Sequence, residues 1–170
     1  MHKTSNQEEL DTYLKLLHLG YTNIFITLQT YHKDVFQKVK LILKNGGHIR
    51  LVKGWYKDGD VKNWNQVTEN YYQIARLLVE DNHFHLLATH DFNLLKKLYD
   101  EYGSRMNKME IIFFSFSKGF VESKMKYFPY QIINKSFYKP YGRKCLSLLY
   151  NLRHMDIKRD LQRRILGKVY

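Results

Sequence analysis

His48 to Asp58 reads HIRLVKGWYKD. Ile49, Leu51 and Val52 are apolar or β-branched, which predicts a short buried strand. Gly54 ends it, and Trp55, Tyr56, Lys57 and Asp58 follow at once. Arg50 and Lys53 are unusual in such a run, because a buried cation is costly unless an anion meets it. One explanation is a strand whose basic side chains snorkel to water. The other is a ligand with phosphate or carboxylate groups, held by two cations beside a glycine and a tyrosine.

Upstream, Asn45-Gly46-Gly47 is a stop-and-turn signal. Residues 33–44 before it place Val35, Val39, Ile42 and Leu43 on one helical face. Tyr21 to Tyr31 is β-rich and reads as the first strand. Residues 1–20 read as an N-terminal helical leader, capped by Thr4 or Ser5 and ended by Gly20, with Leu10, Tyr13, Leu14 and Leu17 apolar.

Downstream, Asp58-Gly59-Asp60 is a loop and residues 66–80 are an amphipathic helix, broken at Asp81-Asn82. His83 to Thr89 predicts a third strand, and Asp91 caps a helix that stops at Gly103. Met109 to Phe116 predicts a fourth strand, followed by a polar helix or loop near 118–127. Tyr130 to Tyr138 predicts a fifth, Pro140-Tyr141-Gly142 turns the chain, and the remainder from about Lys144 to Ile165 reads as helix. Strand alternates with helix, so the strands are expected to run parallel through right-handed crossovers. An open α/β sheet and part of a barrel both fit, and both place ligands at the carboxyl ends of the strands.

With 170 residues and 44% hydrophobic content, one domain with a real core is expected. The net charge of +12 favours anionic partners, whether nucleic acid, a membrane surface or an anionic cofactor. Cys145 is the only cysteine, which excludes an internal disulfide and a cysteine-based zinc framework, and fits a reducing, cytoplasmic setting. No signal-peptide pattern and no membrane span is apparent. His83 and His85 share a strand face without an evident third ligand, so a metal site is not expected.

Several motifs, in order, resemble the proline dehydrogenases, flavin enzymes built on a (β/α)₈ TIM-type barrel. RLVKGWY at 50–56 is similar to the family's fifth-strand RLVKGAY, and ITLQTY at 26–31 to its fourth-strand motif. Thr68 with Tyr72, ATHD at 88–91, MEIIFFSF at 109–116 and FYKPYG at 137–142 follow in the family's order. Tyr150, Arg153 and His154 stand where a Tyr-x-x-Arg-Arg helix is expected. The resemblance implies a partial barrel of about five parallel strands, matching strands 4–8, over residues 21–170. A full barrel needs about 200 residues or more, which leaves three expectations open: a shortened, rearranged half-barrel, a homo-oligomer, or a separate N-terminal half-barrel as partner.

The resemblance implies FAD as cofactor and oxidation of L-proline to pyrroline-5-carboxylate. Arg50 would approach the flavin N5 region and Lys53 the pyrophosphate, while Gly54 would let backbone come close. Gln29 would bond the isoalloxazine edge, Thr68, Thr89 and His90 would hold the ribityl, phosphate or adenosine parts, and Tyr56 would pack near cofactor and substrate. Tyr138 and Tyr150 would wall the proline ring, and Arg153 would grip its carboxylate. His154 replaces the second arginine and lacks its fork geometry, Trp55 replaces an alanine, Ile112 a glutamine, and Ile157 an acidic partner. All these strand tips are expected to form one cradle. Two other functions remain open: a non-catalytic relative that binds flavin or a partner protein, and a nucleic-acid binder using the basic, aromatic segment 118–144.

Overall fold

The computed structural model describes residues 7–54, 60, 61, 63–112, 122–124, 126–128 and the two-residue strand 133–134. Strands and helices alternate: α1 (Gln7–His18), β1 (Phe25–Gln29), α2 (Val35–Lys44), β2 (His48–Val52), α3 (Trp64–Glu80), β3 (His85–Ala88) and α4 (Phe92–Tyr102). A 3₁₀ helix (Gly103–Lys108) then leads into β4 (Met109–Ile112), and Ile133–Asn134 forms β5. The expected strands are present but shorter, and the 3₁₀ turn was not anticipated. The expected ranges after Ile112, apart from the short pieces above, lie outside the described residues.

β1 to β4 form an all-parallel sheet in sequential order, and β5 pairs parallel beside β4. No strand order reverses, so there is no topological switch point among the described strands. With right-handed crossovers, successive helices then lie on one side of the sheet.

Strand periodicity explains the core. Ile26, Leu28, Ile49, Leu51, Leu87 and Ile111 project to one face and are almost fully buried. They join Val39 and Ile42 of α2, Tyr71, Ile74 and Leu78 of α3, and Leu95 and Leu98 of α4 in one hydrophobic cluster. The leader helix α1 belongs to this core: Leu10 and Tyr13 are buried within it, and the Tyr13 hydroxyl accepts from the His48 backbone N–H at 2.7 Å. The second face is only partly covered at Thr27, Arg50, Leu86 and Glu110.

Helix ends follow local chemistry. Asn63 caps α3, its side chain accepting from Asn65 N at 2.9 Å, and Asp91 caps α4 by accepting from Leu94 N at 3.1 Å. α3 and α4 are tied along their outer surfaces. Tyr72 donates its hydroxyl to Glu101, which pushes its phenol up to about 12, and the Lys97 ammonium sits 3.8 Å over its ring. Phe92 and Tyr99 of α4 pack edge to face with Tyr127 and Phe128, with centroids 5.4–6.1 Å apart.

Two buried side-chain atoms have no hydrogen-bond partner among the described residues, Arg50 Nε and the Tyr71 hydroxyl. Tyr71 is fully buried and its hydroxyl has no hydrogen-bond partner. Burial, and then the nearby Asp91 carboxylate, push its phenol well above 10. Tyr71→Phe removes that desolvated hydroxyl and keeps the ring, so stability is expected to rise by about 1 kcal/mol. A lower urea midpoint for the variant would show that the hydroxyl has a partner.

Candidate functional site

The carboxyl end of the sheet gathers most of the described residues picked out from the sequence. The ladder continues one residue past the strands, with Thr30 N bonded to Val52 O, Lys53 N to Ala88 O and Thr89 N to Ile112 O, each at 3.2 Å. This holds Gln29, Lys53, Gly54, Thr89 and His90 at one rim.

They do not form a single cradle, however. Side chains alternate along a strand, and residues 50 and 53 differ by an odd number. Arg50 lies on the second face, in a row with Thr27, Leu86 and Glu110 set by the strand register. Gln29, buried, shares that face one row nearer the rim. Lys53 lies on the helix-covered side.

There, the anion that answers Lys53 is supplied by the chain itself. Its Nζ sits 2.6 Å from Asp91 Oδ2, with only 3% of the lysine side chain exposed. The Trp64 ring centroid lies 4.8 Å from the same nitrogen. Asp91 thus does two jobs: Oδ1 caps α4 and Oδ2 neutralises Lys53. Thr89 braces it by accepting from the Asp91 N–H at 3.1 Å. Thr30, fully buried, donates its hydroxyl to Lys53 O at 2.7 Å and fixes the backbone from the other side.

Gly54 has φ +88°, a region that favours glycine. A Cβ there would lie 2.3 Å from Tyr31 Cδ2. The close approach that this glycine permits is therefore to the Tyr31 ring. Thr68 donates its hydroxyl to Trp64 O at 3.0 Å, a local bond within α3. Tyr56, Tyr138, Tyr150, Arg153 and His154 lie outside the described residues.

Arg50 differs from Lys53. Its Nε is shielded from solvent and has no hydrogen-bond partner among the described residues. A guanidinium N–H left in this state is expensive, and with the Tyr71 hydroxyl it is one of two unused buried side-chain donors among the described residues. Glu110, two strands away in the same row and so about 10 Å distant across the sheet, is the acidic side chain of that row. Its position became visible only through the register.

The opposite, amino end of the sheet holds a second polar group, built around Asp81 at the end of α3. Asp81 Oδ2 accepts from His83 N at 2.8 Å, His83 Nδ1 at 2.8 Å and His85 Nε2 at 3.0 Å. Burial alone would raise this carboxyl, but these bonds outweigh it and hold it below the ordinary value. Lys108 donates to the Asp81 carbonyl. β3 begins at His85, so His83 lies in the bend ahead of it rather than on a shared strand face, and both rings serve a carboxylate that the sequence shows only as a helix breaker. No cluster of three or more metal-ligating side chains occurs among the described residues.

What the geometry defines is a parallel β/α domain with a polar rim at the strand carboxyl ends and a basic donor on its second face. No protein-family model matches the chain, and neither a curated protein nor a solved structure does. Among the described residues, no helix is long and apolar enough to cross a membrane.

Proposed function

We propose that this chain is a proline dehydrogenase-like flavoprotein whose flavin seat is the second face of the sheet around Arg50, with L-proline as the electron donor. The observation that carries this reading is the shielded, unpartnered Nε of Arg50, on the same face as Gln29. Sequential parallel strand order supports it, since a barrel wall has that order and a doubly wound sheet does not. The same order supports a partial TIM-type barrel that needs a second half, from another copy or a separate chain, to close.

The fit to FAD differs between residues. Arg50 and Gln29 suit a polar ring edge. Lys53 and Gly54 do not suit a pyrophosphate: a phosphate beside Lys53 would meet the Asp91 carboxylate 2.6 Å from the same nitrogen, and Gly54 is backed by Tyr31. Bound FAD supplies the redox chemistry, accepting hydride from the proline ring carbon next to nitrogen. The chain's part is to orient and exclude water, with Arg50 donating a charge-assisted hydrogen bond.

The loss of Lys53 as a phosphate contact favours one alternative, a relative that binds flavin without turning proline over. The nucleic-acid alternative gains less. Phe92, Tyr127 and Phe128 turn their rings toward one another, and Lys96 and Lys124 cover ring faces at 4.8 and 4.6 Å, which leaves fewer free stacking surfaces. Proline-dependent dye reduction by the FAD-loaded protein decides the question. Turnover is expected, and Arg50→Ala is expected to lower it about tenfold or more, the size of a lost charge-assisted bond. Flavin uptake with no reduction would select the non-catalytic alternative.

A further inference from the structure

We infer that His48 and His85 form an acid-sensitive latch that closes the amino end of the β2–β3 pairing through opposite, fixed tautomers. In a parallel ladder the bonds are evenly spaced. Lys53 N bonds Ala88 O, so stepping back two residues at a time would put Ile49 N on Phe84 O. Two imidazoles stand in for that bond. The Ile49 N–H donates to His85 Nδ1 at 3.2 Å, and His48 Nδ1 donates to Phe84 O at 2.8 Å. The ring centroids are 6.4 Å apart.

The partners dictate the protons. Phe84 O can only accept, so His48 carries its proton on Nδ1. The Ile49 N–H can only donate, so His85 must keep Nδ1 bare. His85 Nε2 then carries the proton and donates to Asp81. His85 is fully buried, with both ring nitrogens engaged. A second proton leaves the His48 bond intact, because the new proton goes to Nε2. On His85 it goes to Nδ1 and faces the Ile49 donor, so the latch must open there.

The groups around His85 set the sign. Asp81 at the end of α3 favours the cation, while His83 in the following loop and His48 on β2 oppose it. Lys108, ahead of β4, lies on the Asp81 carbonyl, and the Tyr13 hydroxyl of α1 holds the His48 backbone. Burial is the largest influence and holds His85 below its ordinary 6.5. A depressed histidine binds its proton later in the folded state than in the open one. Its contribution is therefore complete above about pH 6.5 and is lost as pH falls through the folded value. The break is local: it frees the start of β2 and the turn from α3 into β3, far from the carboxyl-end rim.

Nitrogen-resolved NMR of the full chain tests this. At pH 7.5 His85 is expected as the Nε2–H tautomer and His48 as Nδ1–H. Below about pH 6.5, the opening constant read from Ile49 amide exchange, corrected for intrinsic rate, should rise by up to about tenfold per pH unit. Asn Oδ1 can replace Nδ1 as acceptor but does not titrate, so His85→Asn should remove that pH dependence. A proton on His85 Nδ1 at pH 7.5 would overturn the latch even if the variant fails to fold. So would the same pH dependence of Ile49 exchange in His85→Asn as in the wild type.

Discussion

Asp91→Ala is expected to lower unfolding free energy by about 4 kcal/mol: about 3 from leaving a buried ammonium unpaired and about 1 from uncapping α4. Lys53 has 3% of its side chain exposed and one carboxylate at 2.6 Å, so without Asp91 its ammonium is left buried and unpaired. Asp91→Asn separates the two parts. The amide keeps an oxygen for the Leu94 N–H and loses the charge, so it should be about 1 kcal/mol milder. Lys53→Met should be milder again, about 2 kcal/mol, since Asp91 keeps 27% of its side chain in water. Urea denaturation of the three variants gives this order. Equal midpoints for Asp91→Ala and wild type would mean that Lys53 finds another anion.

Gly54→Ala carries the second large effect, about 3 kcal/mol. Positive φ costs an alanine about 1 kcal/mol, and the new Cβ would sit 2.3 and 2.6 Å from two carbons of the Tyr31 ring. Either the ring or the β2 terminus has to move. The ring packs beside Trp64, with centroids 6.3 Å apart, and Trp64 covers the Lys53 ammonium, so displacement spreads to the ion pair. Tyr31→Leu in the Gly54→Ala background should recover about half of the loss by removing the clash while the φ cost stays. No recovery would show that backbone conformation alone sets the penalty.

The sequence displayed local periodicity well and tertiary pairing poorly. Alternation at Ile49 and Leu51, the Asn45-Gly46-Gly47 stop and the Asp91 cap are written in neighbouring residues, and strands and helices appear where those signals are. The Asn63 cap of α3 has no local signal, because no apolar period ahead of it announces a helix start. The partner of Lys53 is 38 residues away, and nothing local shows that a helix-capping aspartate also faces that lysine. Asp81 looked like a breaker for the same reason: its histidine partners depend on how α3 enters β3. The separation of Arg50 from Lys53 was legible, since an odd spacing on a strand puts two side chains on opposite faces. The motif made them look like one site, and the pleat divides them.

Titrating FAD into the protein while following flavin fluorescence, with Arg50→Met alongside, tests the assignment of the second face most directly. Saturable binding by the wild type, weakened about tenfold or more in Arg50→Met, is the expected result. No uptake by the wild type, or equal affinity in the variant, would contradict a flavin seat at Arg50.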